Sequence, residues 1–107
     1  MITLEEFNHI DLRVGTVVEA QRVTGTRKLL RLQVKLAQEA RQILVELAQF
    51  YEPEEVLGKQ VIVVANAQPG LVNGERSYGK LLVVHGAGGI LTFATADRVV
   101  DDGALVR

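Results

Sequence analysis

The most regular feature of the sequence is an alternation of apolar and polar residues in three successive segments. Such alternation predicts strands that turn one face towards a core. The first and longest segment covers residues 11–23, and its predicted inward residues are Leu12, Val14, Val18 and Ala20. Gly15 is the predicted position of a bend or bulge, because glycine has no Cβ. A long strand bent in this way can pair at both ends, as in a small five-stranded barrel.

The next two segments predict strands that pair with the first one. Residues 30–36 alternate without interruption, and their predicted inward residues are Leu30, Leu32, Val34 and Leu36. The outward residues of this second strand are Arg31, Gln33 and Lys35. Residues 41–47 predict a third strand, whose inward residues are Ile43, Val45 and Leu47. Leu44 then lies on the outer face between Gln42 and Glu46, either as a lone surface leucine or as part of a contact face.

Two short helices are predicted from their terminal residues. Thr3 can cap a helix over residues 4–10, with Glu6 three residues later as in a capping box. The residues of this helix expected to face inward are Leu4, Phe7 and Ile10, while His9 beside it is expected to be exposed. Residues 53–58 begin with proline, continue with two acids and end with glycine, which predicts a second helix between the third and fourth strands.

The second half of the chain predicts the remaining strands. Residues 60–65 are apolar on both faces, which is typical of a central strand. Turn-forming residues stand at both ends of 67–74, which predicts a loop. Strands follow at 80–85 and 90–95, and residues 97–107 predict a polar tail. The sequence therefore predicts one all-β domain over residues 1–107, a closed five-stranded barrel with two short helices and a C-terminal extension.

Composition narrows the class of protein. Apolar residues make up 48% of the chain, which argues against disorder, and aromatic residues only 5%, so aliphatic side chains must build the core. The absence of cysteine excludes disulfides and thiolate metal sites. No apolar run reaches membrane-spanning length, and no charged leader precedes an apolar segment. We expect a soluble, unprocessed, cytoplasmic protein.

No arrangement of residues indicates catalysis. No His–Glu pair has the spacing of a metal site, and Ser77 has no histidine at a spacing known for nucleophilic catalysis. The glycine-rich residues 86–89 lack the following Lys-Ser or Lys-Thr of a phosphate-binding loop. We therefore predict a binding module that is not an enzyme and has no cofactor or metal.

Charge is distributed unevenly, although the net charge is only −1. Residues 22–41, here called the basic block, contain one acid and six basic residues, Arg22, Arg27, Lys28, Arg31, Lys35 and Arg41. Residues 42–58 contain four acids and no base. Such a block can form a local positive face on a nearly neutral protein. The alternative is that these charges are the ordinary solvated faces of strands.

Several short motifs follow one another in the order found in a known family. They are Asp11-Leu-Arg-Val-Gly15, Arg41-Gln-Ile43, Val63-Val-Ala-Asn66 and Ser77-Tyr-Gly79. With them the chain resembles the small tRNA-binding domain that occurs alone or appended to methionyl-tRNA synthetase, to which the CsaA export chaperone is related. The resemblance implies an oligonucleotide-binding (OB) fold and tRNA as partner, with an aminoacyl-tRNA synthetase as a further partner and no membrane. It also implies a homodimer formed outside the barrel, here by the turn around Phe7 and by residues 99–106.

The resemblance and the basic block together predict the RNA-binding residues. Loop and outer-face residues of the first two strands are where OB folds take their ligand, and the family motifs imply the rest. The predicted set is Arg27, Lys28, Arg31, Gln33, Lys35, Gln42, Asn66, Ser77 and Lys80. The family usually has basic residues after Asn66, at positions that are here Gln68, Gly70, Leu71 and Asn73. Glu46 adds a carboxylate where phosphates would lie.

Two functions of different classes follow. The first is binding of tRNA or structured RNA, mainly through backbone and shape contacts. Only Tyr51 and Tyr78 could stack on a base, and each could instead be structural. The second is a protein-interaction module or export-related chaperone, for which exposed Leu44, Leu71 and Val72 could form an apolar patch.

Overall fold

Strands make up most of the regular structure in the computed structural model, which describes residues 1–107. In chain order the elements are α1 (Leu4–Phe7), β1 (Leu12–Arg22), β2 (Leu30–Leu36), β3 (Glu39–Val45), α2 (Pro53–Val56), β4 (Gln60–Val64), β5 (Gly70–Val72), β6 (Glu75–Ser77), β7 (Lys80–Leu81), β8 (Val83–His85), β9 (Leu91–Phe93) and β10 (Leu105–Val106). The main sheet has the order β3-β2-β1-β4-β7, and β10 also pairs with β1. The all-β prediction is confirmed.

The long first strand joins the two halves of the main sheet. The first half of β1 pairs antiparallel with β4, and its second half pairs antiparallel with β2. Thr16 is paired with both neighbours, opposite Lys35 of β2 and Gln60 of β4. The prediction that this strand pairs at both ends is therefore confirmed.

The predicted position of the bulge in β1, at Gly15, is wrong, because the bulge lies further along the strand. The register shifts between Val17 and Glu19, so Val17 is fully buried and Val18 is 44% exposed. The prediction of Val18 as an inward residue is therefore wrong, because Val18 lies at the register shift and Val17 takes the core-facing position. Gly15 instead permits close packing: a Cβ there would lie 2.6 Å from Cγ1 of Val34 and 2.8 Å from the carbonyl oxygen of Lys35.

The core lies inside the curl of the main sheet and is almost entirely aliphatic. The predicted inward residues of the second and third strands are all buried, namely Leu30, Leu32, Val34, Leu36, Ile43, Val45 and Leu47. Val61 and Val63 of β4 are buried with them. The curl brings β3 towards the chain that enters β7. The N–H of Tyr78 donates to the carbonyl oxygen of Gln42 (2.8 Å), and the N–H of Leu44 donates to Oγ of Ser77 (3.1 Å). With the bond from Nε2 of Gln42 to the carbonyl oxygen of Arg76 (2.9 Å), three hydrogen bonds and no strand ladder join these edges of the barrel.

Three predictions in the second half need correction. The predicted loop 67–74 contributes to a hairpin of β5 and β6, joined by Asn73-Gly74 with φ values of 52° and 81°. Asn-Gly suits such a turn because both residues tolerate positive φ. The predicted strand 80–85 is divided at Leu82 into β7, which pairs with β4, and β8, which pairs with β9. The predicted tail contains a short strand, β10, which pairs with Leu12 and Arg13.

Both short helices begin as predicted. Thr3 and Glu6 form a reciprocal capping box on α1, and Pro53 occupies the first turn of α2. However, α1 buries none of its residues, and Leu4 is 81% exposed. The predicted inward face is therefore wrong for Leu4 and Ile10, because the helix ends at Phe7 and both side chains are exposed. Neither helix is long and apolar enough to cross a membrane.

Candidate nucleic-acid interface

The outer face of β2 and β3 displays the residues that the alternation placed there. Gln33 lies opposite Gln42, and Lys35 lies opposite Ala40. Lys35 is exposed, and Arg31, Gln33 and Gln42 are half-buried. The structure therefore brings four of the predicted RNA-binding residues onto one face of one strand pair.

Arg31 forms an ion pair with Glu75, which was not predicted from the sequence. Its guanidinium donates two hydrogen bonds of 2.6 Å to the carboxylate of Glu75 on β6, and a third of 2.9 Å to Oε1 of Gln21. The hydrogen bonds from Arg31 hold the pKa of Glu75 below its ordinary value, and those to Glu75 raise the pKa of Arg31. Glu75 thus neutralises the charge of Arg31 and competes with any phosphate that approaches it. Glu75 lies just after the predicted loop, which is why no strand pattern signalled it.

The β5–β6 hairpin also covers Leu44. This side chain is only 8% exposed and lies in a small cluster with Val23 and Leu29, against which Val72 packs. The interpretation of Leu44 as a lone surface leucine is therefore wrong. Of the predicted apolar patch only Leu71 is exposed, at 69%.

Half of the basic block is neutralised by ion pairs. Arg22 pairs with Glu52, Arg31 with Glu75 and Arg41 with Glu39. The remaining basic residues, Arg27, Lys28 and Lys35, are exposed and have no acidic partner within 4.0 Å. The positive face is therefore weaker than the count of basic residues suggests, since two of the three neutralising acids come from outside the block.

Two of the predicted site residues use their polar groups within the fold. Oδ1 of Asn66 accepts from the N–H of Asp11 (2.9 Å), and Nδ2 of Asn66 donates to the carbonyl oxygen of His9 (2.7 Å). Ser77 is buried, and its hydroxyl accepts from Leu44 and donates to the carbonyl oxygen of Gly79 (3.3 Å). Asn66 thus fixes the segment between α1 and β1, and Ser77 fixes the barrel closure.

A shallow groove of about 800 Å³ runs between β3 and the segment that follows β4. Its polar lining includes Gln33, Gln42, Arg76 and Tyr78. Nε2 of Gln33 donates to Oε1 of Gln42 (3.3 Å), and Nε2 of Gln42 donates to the carbonyl oxygen of Arg76 (2.9 Å). Arg76 was not among the predicted site residues, because its position depends on the unpredicted hairpin. We call these four residues, with Pro69, the amide groove.

A second cavity, of about 440 Å³, is mainly apolar and lies beside β7. Leu29, Leu44, Val72 and Leu91 contribute to its lining, with Glu46, Lys80 and His85 as charged or titratable residues. Lys80 is exposed, and no acid lies within ion-pair distance of it. The predicted site residue Lys80 therefore lies at this cavity, while Gln33 and Gln42 lie at the amide groove.

This architecture, a curled all-β sheet with a polar groove beside its second and third strands, is that of OB-fold nucleic-acid-binding domains. A family model described as "Putative tRNA binding domain" matches residues 12–104. The chain belongs to this family of tRNA-binding domains. The domain itself is a non-catalytic binding domain.

Similar proteins include parts of an enzyme and proteins of the same size as this chain. The methionine–tRNA ligase of Chlorobium limicola is 50% identical over 90 residues, which are 84% of this chain and 13% of that protein. The chain thus spans only a small part of this curated relative. The MetRS-related protein from Pyrococcus horikoshii has 31% identity and a TM-score of 0.93, over 100% of this chain and 98% of that one. Chaperone CsaA from Bacillus anthracis has 25% identity and a TM-score of 0.90, over 100% and 99%.

Proposed function

We propose that this chain binds tRNA, or another structured RNA, mainly through contacts to the phosphate backbone and to RNA shape. The observation that carries the proposal is the group of exposed cations without acidic partners in the basic block, Arg27, Lys28 and Lys35. Unpaired cations can release counterions from RNA phosphates, whereas the charge of Arg31 is already balanced by Glu75. Membership of the tRNA-binding domain family supports the same function.

The predicted site residues have different roles under this proposal. The phosphate contacts are made by Arg27, Lys28, Lys35 and Lys80. Gln33 and Gln42 offer amides to the RNA at the amide groove. Asn66 and Ser77 support the binding surface from within the fold, since their polar groups are engaged there.

The salt dependence of tRNA affinity tests the proposal. The four proposed phosphate contacts, with Arg27, Lys28, Lys35 and Lys80, give an expected slope of log K against log salt of roughly −3 to −4. Lys35→Ala should flatten the slope by roughly 0.7–0.9, because one contact is lost. The matched control is Lys59→Ala, which removes the same charge from an exposed lysine outside the basic block. The absence of tRNA binding at low salt, or an equal response to both changes, would contradict the proposal.

A homodimer is the second part of the proposal. The apolar residues around α1 and in the C-terminal segment support it, because Leu4, Val99, Val100 and Leu105 are exposed without serving the core. Sedimentation equilibrium is expected to give about twice the chain mass of 11.7 kDa. Leu4→Glu with Val99→Glu should shift the dimer to the monomer. Leu57→Glu, which changes an exposed leucine outside these segments, is the control. A monomer at micromolar concentration would refute the dimer.

The wider setting of the domain follows from its relatives. We propose that an aminoacyl-tRNA synthetase is a partner of this domain, because the ligase from Chlorobium limicola contains a similar segment. A cytoplasmic location is consistent with such a partner. Co-purification of a methionine-specific synthetase with the tagged chain from its own cells tests both statements.

A protein-binding function is the second candidate, and the apolar cavity beside β7 is the observation that favours it. The likeness to a chaperone over the full length of both chains supports the same candidate. Binding of an unfolded apolar test peptide, measured by fluorescence anisotropy, is then expected to be lost in Leu91→Glu, which places a charge at this cavity. Peptide binding together with no RNA binding at low salt would favour this candidate over the first.

A further inference from the structure

The amide groove contains the aromatic ring of Tyr78, whose hydroxyl forms no hydrogen bond within the fold. Tyr78 is 42% exposed, and its backbone N–H is the only part of the residue with a hydrogen bond in the fold. The other tyrosine differs, because Tyr51 lies 5.2 Å from Phe93, measured between ring centroids, and its hydroxyl pairs with Thr92 at 2.6 Å. Tyr51 is thus part of the packing. Tyr78 offers a ring to the groove, held in place by the bond from its N–H to Gln42.

The two glutamines of the groove have unused hydrogen-bonding capacity. Gln33 uses one N–H in its bond to Oε1 of Gln42. Gln42 uses one N–H in its bond to the carbonyl oxygen of Arg76. Each amide has two N–H donors and one acceptor oxygen. One N–H on each glutamine and Oε1 of Gln33 therefore remain available. A donor and an acceptor side by side match the hydrogen-bonding edge of a nucleic-acid base.

Arg76 supplies a cation at the same groove. Its side chain is exposed and has no carboxylate within 4.0 Å, in contrast to its neighbour Glu75, which is paired with Arg31. Gln42 holds the backbone of Arg76 through its carbonyl oxygen. The guanidinium thus stands on the rigid β5–β6 hairpin, and a phosphate is the group that it matches best.

From this set we infer that the amide groove is a subsite for one unpaired nucleotide of the RNA. The base stacks on the ring of Tyr78, its edge pairs with the amides of Gln33 and Gln42, and its phosphate pairs with Arg76. The inference rests on the proposed RNA-binding function and adds to it a contact that phosphate binding alone does not provide. It selects RNA with a looped-out or single-stranded base, because a base inside a duplex cannot present its face to a tyrosine.

The test compares two RNA probes that have the same number of phosphates. One is a hairpin with an unpaired loop, and the other is a blunt-ended duplex. The wild-type chain is expected to bind the hairpin more tightly. Tyr78→Leu should weaken hairpin binding by roughly 5- to 100-fold, the range for loss of one stacked base, and should leave duplex binding unchanged. Tyr78→Phe should retain the preference because it keeps the ring.

Tyrosine emission gives a second readout that a purely structural role of Tyr78 would not change. The chain has two tyrosines and no tryptophan, so its emission comes from Tyr51 and Tyr78. In Tyr51→Phe the hairpin is expected to quench the remaining emission, whereas in Tyr78→Phe it is expected to leave the emission of Tyr51 unchanged. Quenching confined to Tyr78 supports a stacked base.

The outcomes separate this inference from the proposed function. If both probes bind in a salt-dependent manner and Tyr78→Leu binds both as the wild type does, the nucleotide subsite is refuted and phosphate binding stands. If neither probe binds at low salt, the RNA-binding function and the subsite are refuted together. A circular dichroism spectrum of Tyr78→Leu that matches the wild type shows that its effect is on binding.

Discussion

Arg31 on β2 and Glu75 on β6 are linked by two parallel hydrogen bonds of 2.6 Å across 44 residues of chain. This bidentate pair ties the β5–β6 hairpin to the outer face of the main sheet. It also pairs the carboxylate of Glu75 with Arg31, a residue predicted to bind RNA. Glu75 therefore competes with any phosphate that approaches Arg31.

Removing Glu75 should release Arg31 for RNA. Glu75→Gln is expected to tighten tRNA binding and to steepen the slope of log K against log salt by roughly 0.7–0.9, because one further phosphate contact becomes available. Filter binding over a series of salt concentrations measures both quantities. Glu54→Gln is the matched control, since Glu54 is exposed and forms no ion pair. If the two variants show the same slope, Arg31 does not reach the RNA.

The same pair should make stability depend on pH in the acid range. The pKa of Glu75 is lower in the folded chain than its ordinary value of 4.5, because Arg31 donates hydrogen bonds to the ionised form. Its contribution is therefore complete above pH 4.5 and is lost as the pH falls through the folded pKa. The difference in free energy of unfolding between wild type and Glu75→Gln should be small, since the pair is solvent-accessible, and should shrink below that pH. A difference that grows on acidification would show that Arg31 does not stabilise the charged form.

Gly15 should tolerate no side chain. Gly15→Ala places a Cβ within 3 Å of Val34 and of the backbone of β2, so we expect a loss of roughly 1–3 kcal/mol in the free energy of unfolding. Gly70→Ala is the control, because no atom lies within 4 Å of the added Cβ and its φ is not positive. Urea unfolding of both variants measures the difference. Equal stability would mean that β1 and β2 do not approach as closely as described.

Leu32 should contribute strongly to the core. It is almost completely buried at the centre of β2, and Leu32→Ala is expected to cost roughly 2–5 kcal/mol in urea unfolding. Leu57→Ala removes the same atoms from an exposed position and should change stability by less than roughly 0.5 kcal/mol. A loss of similar size at both positions would place the core elsewhere.

The sequence predicted the parts of the fold that local alternation determines. The bounds of β2 were predicted to the residue, because Leu30–Leu36 alternate without interruption. The side assigned to Val18 was wrong, because the alternation was continued through the Val17–Val18 doublet, where the register shifts. The burial of Leu44 could not be predicted either, because Val72, which packs over its cluster, belongs to a hairpin remote in the chain.

The sequence predicted only those residues of the candidate site whose position follows from the alternation within one strand. The outward positions of Gln33 and Lys35 followed from alternation in β2. The pairing of Arg31 and the presence of Arg76 at the groove both depend on the β5–β6 hairpin, whose strands have three residues each. Strands this short carry too little pattern to be recognised, although Asn73-Gly74 is a hairpin turn signal.

The pairing of Leu12 and Arg13 with β10 has a consequence for the order of folding. This contact joins residues from opposite ends of the chain, so closing it costs the entropy of a very long loop. During synthesis the ribosome releases residues 105 and 106 only after every other strand has emerged. That edge of β1 therefore stays open until translation of the domain is complete, and β10 is the last strand that can join the sheet.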